Sequence, residues 1–580
     1  MQSRVSAARL PQARYARMAH DTLDERMVRY MVTAALPYAA SVPHLGNFAG
    51  SVLPADIYYR HLLMRGCEAI FICGSDQHGT SIEVEAMRQG VEPQALADKV
   101  HEQTKELFRR LECGFTYYGK TDSDANRRMV SRVFDALRAN RLIVKVESIM
   151  PYCGTDRRFL ADRLIEGTCP VCRHSHARGD QCDDCGALLD PKDLINPYCR
   201  ICGGAHITFE KTANLAIDLH GMEHAIRRFI ELRSKHNWSA NAVNKSLSYI
   251  AQGLKPREIT REQRWGFSVP LRGFEEKVFY VWFDALIAYI GITAEWDEKR
   301  MHAYWFDDKN VRLVQFMGKD NIEFHTLMWP AILIGSRMGF TLPYTIKAYE
   351  HLTSKTLKFS KSRGVGINVQ NALEVLDADY WRFVIAYILP ETADSSFDTD
   401  RLVEVVNNIM NDKVGNFVHR VLMLIKANRI EVGDAHIGKA HRASVARLVK
   451  AYSGHMGALR IRAALRTVVE LADMGNALMS NEKPWELLLA AGNESADSIR
   501  LRNLMSALAH MAYAVALMLW PFTPEASARA LAHFGVADTA VPQLSSAGRL
   551  PMPHLEKRLS PMFRKIGEGE IRKMERFTSA

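Results

Sequence analysis

The sequence lacks the features of a secreted or disordered protein. Its 580 residues contain only 10 cysteines, too few for a disulfide scaffold, while 47 % hydrophobic and 24 % charged residues are ordinary for a globular chain. It has no low-complexity tract, and we expect no secretory signal because no apolar run follows the basic N-terminus. The apolar stretch Met505–Ala526 includes Ser506, His510 and Pro521, so we predict a buried helix rather than a membrane span.

The chain also has only a small excess of positive charge. Lys plus Arg total 75 and Asp plus Glu 65, a formal net charge of +10, of which residues 1–20 and 541–580 carry +4 each. A nucleic-acid partner would therefore need a local basic patch. For residues 1–26, a transit peptide, a disordered extension and a misplaced start codon all stay open. We expect a cytoplasmic protein unless this extension directs import into an organelle.

The cysteines are unevenly placed. Seven of the ten lie between Cys153 and Cys202, and they include three C-x-x-C pairs. This clustering favours metal binding in a reducing compartment over disulfides. Two of the pairs, nine residues apart, have the spacing of a zinc knuckle that supplies four thiolates to one structural Zn²⁺. The four predicted ligands are Cys169, Cys172, Cys182 and Cys185.

The first hundred residues after the extension predict a parallel sheet. Val28–Ala35 is an apolar, β-favouring run, and helical periodicity follows from near His44 to a stop at Gly66. A second strand is predicted over Ala69–Cys73, with another helix from about Ile82. Strand–loop–helix–strand is the opening of a doubly wound sheet, where ligands collect at the carboxyl ends of strands.

Further along the chain the pattern changes twice. Residues 151–210 are rich in Cys, Gly, Asp and Arg with little apolar periodicity, which indicates an inserted, metal-held module. Strand-like runs resume at Val278–Phe283 and Val311–Met317, and an apolar helix is predicted from His325. From about residue 401 to 531, apolar residues recur at three- and four-residue spacing, which predicts a helix bundle.

Two short motifs carry groups that suit a polyphosphate. Residues 44–47, HLGN, open a predicted helix whose N-terminus offers free N–H groups, and the glycine lets a nucleotide approach the backbone. Residues 358–364, KFSKSRG, would form a mobile cationic loop able to close on phosphates. Taken alone, each motif fits turn chemistry or a solvated basic turn equally well.

In this order the two motifs resemble the paired signatures of class I aminoacyl-tRNA synthetases. ALPY at 35–38, FICGSDQHGT at 71–80, YVWFDA at 280–285 and FMGKD at 316–320 further resemble the methionyl-tRNA synthetase family. The resemblance runs from about residue 28 to about residue 565. It implies a methionine–tRNA ligase, an enzyme that activates L-methionine with ATP to methionyl-adenylate and pyrophosphate. The implied enzyme then transfers methionine to the 3′ end of tRNA(Met).

The resemblance also implies roles for individual residues. The residues that match the catalytic signatures are His44, Asn47, Lys358 and Lys361. Those implied to bind ATP, which arrives with Mg²⁺, are His44, Gly46, Asn47, Lys319, Asp320 and Lys361. Those implied to bind methionine are Ala35, Leu36, Tyr38, Asp76, Trp282, Leu286, Tyr289 and His325. Within these sets, Asp76 is implied to pair with the substrate ammonium and Asp320 to accept from ribose hydroxyls.

A second zinc site and an RNA-reading surface follow from the same resemblance. Family members with two zinc ions have a second knuckle, and its matching positions here are Cys153, Asp156, Cys199 and Cys202. Because Asp156 stands where a cysteine is expected, and a carboxylate is uncommon in structural sites, the occupancy of this second site stays open. The residues that match readers of the anticodon are Asn416, Arg420 and Trp485.

The predicted fold class is α/β. It combines a doubly wound, Rossmann-type parallel sheet with an inserted zinc-knuckle connective module and a C-terminal all-α bundle. The predicted divisions are an N-terminal extension (1–26), the first half of the catalytic domain (27–141), the connective insertion (142–250), the second half of the catalytic domain (251–345), a stem-contact region with the lysine loop (346–400), the anticodon-binding bundle (401–545) and a C-terminal tail (546–580). We expect a monomer with no membrane association.

Three rival interpretations stay open. A cysteinyl or leucyl enzyme is the nearest within class I, although the ALPY and YVW segments argue against both. A small-molecule nucleotidylyltransferase would share the first motif without needing the helical C-terminal third or the zinc module. A tRNA-binding paralogue without catalysis would not need the intact set of polar residues His44, Asp76, Lys319, Asp320 and Lys361.

Overall fold

The structure is a computed structural model that describes residues 28–160, 164–179, 182, 184–185, 187, 189–262, 264–353, 367–490, 495–554 and 558–578. Its strands, in chain order, are β1 Arg29–Ala34, β2 Glu68–Ser75, β3 Tyr117–Lys120, β4 Ile143–Cys153, β5 Arg158–Phe159, β6 Ile165–Thr168, β7 Ala177–Arg178, β8 Ile195–Cys199, β9 Ile207–Ile217, β10 Arg257–Glu258, β11 Thr260–Arg261, β12 Val278–Phe279, β13 Val311–Gly318, β14 Pro343–Tyr349, β15 Leu352–Thr353 and β16 Ser395–Ser396.

The helices alternate with strands in the first half of the chain and follow one another in the second. Those in the first half are Leu45–Asn47 continuing through Phe48–Val52 and Leu53–Met64, then Thr80–Gln89, Pro93–Arg110, Asp124–Ala139, Glu223–Arg233, Ala240–Ala251, Val281–Trp296, Glu298–Trp305 and Phe324–Met328 continuing through Trp329–Gly335. Those in the second half are Val369–Val375, Ala378–Tyr387, Thr399–Glu404 continuing through Val405–Gly415 and Asn416–Asn428, then Lys439–Gly457, Ile461–Glu482, Pro484–Ala490, Ala496–Leu519, Pro524–Ala532 and Glu568–Thr578.

A parallel sheet in the order β14-β13-β1-β2-β3 forms the centre of the N-terminal part of the chain. β1 lies between β13 and β2, with Met31 opposite both Leu313 and Ile70. The chain therefore winds outward on one side of β1 and returns to its other side with β13. This reversal of strand order creates a crevice at the carboxyl ends of β1 and β13. The prediction of an α/β fold with a parallel sheet is confirmed.

Alternate residues of the central strands belong to different cores. Val32 and Phe71 pack into a cluster that runs on into the helical bundle, whereas Met31 and Ile70 pack into a cluster on the opposite face of the sheet. This alternation is the period-2 geometry of a strand buried on both faces. The two cores hold the strand ends, and so the loops that follow them, in one rigid frame.

The connective insertion is built on a long antiparallel ribbon. β4 and β9 pair over their full lengths, from Ile143 opposite Ile217 to Cys153 opposite Ile207. A small sheet in the order β7-β6-β8 lies between them in sequence and has its own cluster of buried residues, most of them cysteine, leucine and isoleucine. After β9, the helices that contain Phe229 and Ala242 pack into the core on the second face of the sheet.

The C-terminal third is a helix bundle. Tight packing within it is clearest at Gly475, where a Cβ atom would lie 2.1 Å from Cζ of Phe417, so a glycine is needed there. Helix Ala496–Leu519 is buried along most of its length, as predicted for the apolar stretch that begins at Met505. Among the helices that the structure describes, none combines the length and apolar character needed to cross a membrane.

One predicted element is wrong. Val278–Phe283 was expected to be a strand, but β12 ends at Phe279 and a helix begins at Val281 after the extended residue Tyr280. The helix Val281–Trp296 is buried on nearly all sides, so it shows no amphipathic stripe. A short apolar run of this kind is compatible with either a buried strand or a buried helix.

Candidate active site

A cavity of about 1340 Å³ opens at the carboxyl ends of the parallel strands. Its walls come from the loops after β1, β2 and β13, from the start of helix Val281–Trp296 and from the connective module. The predicted substrate residues that line it are Ala35, Leu36, Tyr38, His44, Gly46, Asn47, Asp76, Trp282 and Asp320. The cavity thus lies where the strand order reverses, the usual ligand position in open parallel sheets.

His44 and Asn47 cap the helix that leads away from β1. Nδ1 of His44 accepts a hydrogen bond from the Asn47 N–H at 3.1 Å, and Oδ1 of Asn47 accepts one from the His44 N–H at 3.2 Å. Because Nδ1 is an acceptor, the proton of the neutral imidazole lies on Nε2. The two side chains are thereby held at a helix N-terminus, where N–H groups and the helix dipole favour an anion.

The chain that follows residue 366 packs against this first motif. The Leu45 N–H donates to the carbonyl oxygen of Ile367 at 3.0 Å, and the Val369 N–H donates to that of Pro43 at 3.0 Å. On the N-terminal side of residues 354–366, Leu352 lines the cavity. The predicted loop residues Lys358 and Lys361 lie outside the described residues.

Lys319 and Asp320 follow β13 and contact the loop after β14, and Lys319 also contacts Asp394, just before β16. Nζ of Lys319 contacts Oδ1 of Asp394 at 2.6 Å and Oε2 of Glu350 at 2.8 Å. Burial lowers the pKa of Lys319, but the two carboxylates outweigh it and raise the pKa above its usual range. His351 Nε2 lies 3.0 Å from Oδ2 of Asp320. The Lys319 ammonium group is therefore ion-paired with Glu350 and Asp394, whereas Asp320 lines the cavity.

Asp76 directly follows β2 and lies beside the loop that follows β1. Its N–H donates to the carbonyl oxygen of Pro37 at 2.9 Å, and its own carbonyl oxygen accepts from the Ala39 N–H at 2.8 Å. Among the residues that the structure describes, the buried Oδ1 of Asp76 has no hydrogen-bond partner. Burial and the nearby Asp284 carboxylate raise the pKa of Asp76 well above its usual range. A cationic ligand group next to this oxygen would relieve both effects.

The predicted thioether pocket has an aromatic wall. The ring of Trp282 stacks on that of Phe324, with centroids 3.8 Å apart and an interplanar angle of 5°. Leu286, on the next turn of the same helix, is buried. Behind them, Tyr289 and His325 are also buried, and their polar atoms lie 3.0 Å apart. Apolar and aromatic surfaces of this kind suit a thioether.

In the structure, the predicted ligands of each of the two metal clusters lie close together. In the first, the Sγ atoms of Cys169 and Cys185 are 3.9 Å apart and those of Cys172 and Cys182 are 3.6 Å apart. A tetrahedron with Zn–S bonds of about 2.3 Å has edges of about 3.8 Å, so the four thiols fit such an ion. The ligand atoms of each set lie within 4.8 Å of one another.

The second cluster uses the carboxylate that replaces a cysteine. Oδ2 of Asp156 lies 3.0 Å from Sγ of Cys199, and the Sγ atoms of Cys153 and Cys202 are 3.6 Å apart. The Asp156 N–H also donates to Sγ of Cys153, at 3.3 Å. The carboxylate thus takes the place of a fourth ligand in a set that could hold a metal ion.

The predicted anticodon residues lie on neighbouring parts of the bundle. Asn416 and Arg420 are one turn apart on helix Asn416–Asn428, and the Arg420 side chain is exposed. Trp485 is 40 % exposed on the short helix Pro484–Ala490, which directly follows the helix that packs on Phe417. An indole with this exposure has a face available for stacking.

Several cavity residues were missed by the sequence analysis. The guanidinium group of Arg261 lies 4.2 Å from the ring centre of Tyr280, and both residues line the cavity with Glu350 and His351. The connective module supplies a further polar wall, formed by Glu166, His174, His176, Arg178 and Arg200. Isolated residues in turn-rich sequence carry no periodic signal, so only the fold reveals that they face the cavity.

Comparison with known proteins assigns the family. The family model described as tRNA synthetases class I (M) matches residues 30–422, and the anticodon binding domain of methionyl tRNA ligase matches residues 432–580. The chain belongs to the methionyl-tRNA synthetase family. The prediction of an aminoacyl-tRNA synthetase of this kind is thereby confirmed.

Relatives and solved structures agree with this assignment. The methionine–tRNA ligase of Aeropyrum pernix is 38 % identical over 565 residues, covering 95 % of this chain and 96 % of that protein. That of Pyrobaculum islandicum is 40 % identical over 558 residues, covering 94 % and 96 %. The fold is similar to that of Mycobacterium tuberculosis methionyl-tRNA synthetase in complex with methionyl-adenylate, with a TM-score of 0.76, 22 % identity and coverage of 92 % of this chain and 99 % of that one.

Proposed function

We propose that this chain ligates methionine to tRNA(Met) in two steps, through a methionyl-adenylate. The observation that carries the proposal is the arrival of His44, Asp76 and Asp320, from three separate loops, at one cavity in a chain of this family. In the first step the methionine carboxylate attacks the α-phosphate of ATP and pyrophosphate leaves. The substrate supplies the nucleophile, so the protein contributes positioning and charge stabilisation.

The ATP would lie along the first motif and the end of β13. Nε2–H of His44 and the helix N-terminus donate to phosphate oxygens, and Gly46 admits the nucleotide to the backbone. Asp320 accepts from the ribose hydroxyls, and its contact with His351 orients it. Asn47 and the lysines Lys358 and Lys361 stabilise the phosphates, and ATP enters as its Mg²⁺ complex. Lys319 would contribute to this end of the site indirectly, through its ion pairs with Glu350 and Asp394.

Methionine would occupy the other end of the cavity. Its ammonium group meets Oδ1 of Asp76, a buried oxygen without a hydrogen-bond partner among the described residues, beside the loop after β1. Its thioether lies against the aromatic wall, where sulfur–aromatic contacts contribute roughly 0.3–1.5 kcal/mol each. The residues of this subsite are Ala35, Leu36, Tyr38, Trp282, Leu286, Tyr289 and His325.

Both cysteine clusters fit zinc. The Sγ separations of the first match a tetrahedral tetrathiolate, and the carboxylate of Asp156 completes the second. Zinc would supply a structural cross-link to a module whose own buried cluster is small. The anticodon of the tRNA would be read by Asn416, Arg420 and Trp485. The cytoplasmic location and the monomeric state stay predictions.

The decisive experiment is ATP–pyrophosphate exchange with a panel of amino acids, followed by tRNA charging. We expect exchange with methionine and not with cysteine or leucine, and a loss of at least about a hundredfold in Asp76→Asn, since a buried charge partner is removed. Asp135→Asn, which changes an exposed carboxylate on helix Asp124–Ala139, is the matched control. Exchange with another amino acid would refute the assignment, and tRNA binding without exchange would favour a paralogue without catalysis.

A further inference from the structure

A buried histidine lies directly behind the proposed ammonium site. Nδ1 of His78 is hydrogen-bonded to Oδ2 of Asp284, and Nε2 lies 3.5 Å from Oδ1 of Asp122. The rings of Trp265 and Phe267 enclose the imidazole edge-on, with centroids 5.4 and 4.6 Å away. Because carboxylates face both ring nitrogens, the doubly protonated ring is the form that donates to each of them.

The charges around this imidazole are mostly negative. Asp284 is fully buried, and Asp76 is buried on the side that lines the cavity. The backbone N–H of His78 also lowers the pKa of Asp76. On the outer side, Asp122 is approached by Arg127, with Nη2 at 3.7 Å, and by Lys120. The His78 ring is thus the cation placed among the three carboxylates.

We propose that His78 is a positioning residue whose imidazole, held between Asp284 and Asp122, offsets the charge of Asp284 and so favours the ionised form of Asp76 that pairs with the methionine ammonium. The inference rests on the proposed function and deepens it. His78 does not line the cavity, so it acts through Asp76 rather than on the substrate. Its role is specific to the amino-acid end of the site, because the nucleotide end lies beyond the loop after β1.

The electrostatics of the cluster agree with this role. Burial alone lowers the pKa of His78, but Asp284 and Asp122 raise it to about 10, so the ring stays charged at neutral pH. Burial and Asp284 raise the pKa of Asp76 well above its usual range, and His78 partly offsets this rise. Without the charged imidazole, the two buried carboxylates of Asp76 and Asp284 would repel each other without a nearby cation to offset them, which favours protonation of one of them.

The test is the pH dependence of methionine-dependent ATP–pyrophosphate exchange in His78→Gln. Glutamine keeps a donor toward Asp284 but carries no charge. We expect the KM for methionine to rise about tenfold at pH 7, because a smaller fraction of Asp76 would be ionised to pair with the ammonium group. The acid limb of kcat/KM for methionine should move to higher pH, whereas the KM for ATP should change less than about twofold. His61→Gln, another buried histidine of the catalytic half, is the control.

A double variant distinguishes an effect of the His78 charge from an effect of the substitution on the fold. In His78→Gln with Asp284→Asn both partners are neutral and remain able to hydrogen-bond, so the methionine KM should return to within about threefold of the wild type. This variant also decides the question if His78→Gln alone does not fold. A double variant that is as impaired as the single one, with a wild-type melting temperature, would overturn the inference, as would an unchanged pH profile in His78→Gln. Wild-type protein without methionine-dependent exchange would instead refute the proposed function.

Discussion

The hydroxyl group of Tyr289 and Nε2 of His325 lie 3.0 Å apart inside the buried wall of the proposed methionine subsite. Nδ1 of the same imidazole lies 3.0 Å from the carbonyl oxygen of Asn321, so Nδ1 carries the proton and Nε2 accepts from Tyr289. Burial lowers the pKa of His325 to about 4. The wall therefore presents a neutral imidazole at physiological pH, which suits an uncharged thioether.

Tyr289→Phe should weaken methionine use without affecting ATP. The substitution leaves Nε2 of His325 buried without its donor, at a cost of about 1–3 kcal/mol, and the ring is then free to reorient. We expect kcat/KM for methionine to fall about tenfold, in line with that cost, while the KM for ATP is unchanged. Steady-state ATP–pyrophosphate exchange measures both. Tyr304→Phe, which removes a hydroxyl group bonded to Glu68, is the control, and an equal loss for both substrates would contradict the prediction.

Much of this site was predictable because its residues follow strands. Asp76 comes directly after β2, and Lys319 and Asp320 come directly after β13, so the topology of a parallel sheet brings them together. The cysteine spacings likewise predicted a metal cluster from local sequence alone. A local pattern carries this information because each strand is contiguous with the residues that follow it, and the cysteine pairs are close in the chain.

What could not be predicted depends on tertiary packing. The capture of Lys319 by Glu350 and Asp394 joins residues far apart in sequence, and neither carboxylate belongs to a motif. The helix that begins at Val281 is buried on nearly all sides, which removes the periodicity that distinguishes a helix from a strand. The residues of the connective module that face the cavity, such as Glu166 and Arg200, belong to no motif, and only the tertiary fold brings them there.

A buried carboxyl group between the two halves of the molecule predicts a pH effect on stability. The Ala526 N–H donates to Oδ2 of Asp379 at 2.6 Å, while burial and the nearby Glu112 raise the pKa of Asp379 to about 7. Below pH 4 the group is protonated in both the folded and the unfolded state. As the pH rises from about 4 to 7, the unfolded state ionises first, so stability falls by about 1 kcal/mol per pH unit and then levels off.

Asp379→Asn should remove this dependence. Asparagine keeps an acceptor for the Ala526 N–H and does not ionise, so the variant should lose less stability than the wild type between pH 5 and 7. Urea unfolding at pH 5, 6, 7 and 8 measures the difference. Asp297→Asn, at an exposed helix N-cap, controls for a general effect of the substitution. Parallel curves for Asp379→Asn and the wild type would contradict the assignment.

The Asp156 cluster predicts a second zinc ion that is held less tightly than the first. Three thiolates and one carboxylate bind Zn²⁺ more weakly than four thiolates, since thiolate is the softer ligand. We expect two zinc ions per wild-type chain and one in Asp156→Ala. Asp156→Cys should retain two and should release the second more slowly to a chelator. Metal analysis of purified protein measures the stoichiometry, and Asp193→Ala, an exposed aspartate of the same module, is the control. One zinc ion in the wild type would exclude the second site.

Trp485→Ala should separate RNA recognition from amino-acid activation. The indole is 40 % exposed on the bundle, remote in sequence from the catalytic cavity, and stacking on an unpaired base contributes roughly 1–3 kcal/mol. We therefore expect kcat/KM for tRNA(Met) to fall about tenfold to a hundredfold, while ATP–pyrophosphate exchange stays within about twofold of the wild type. Leu489→Ala, on the same short helix and 89 % exposed, is the matched control. If both reactions lost activity equally, the indole would be supporting the fold of the bundle rather than stacking on the anticodon.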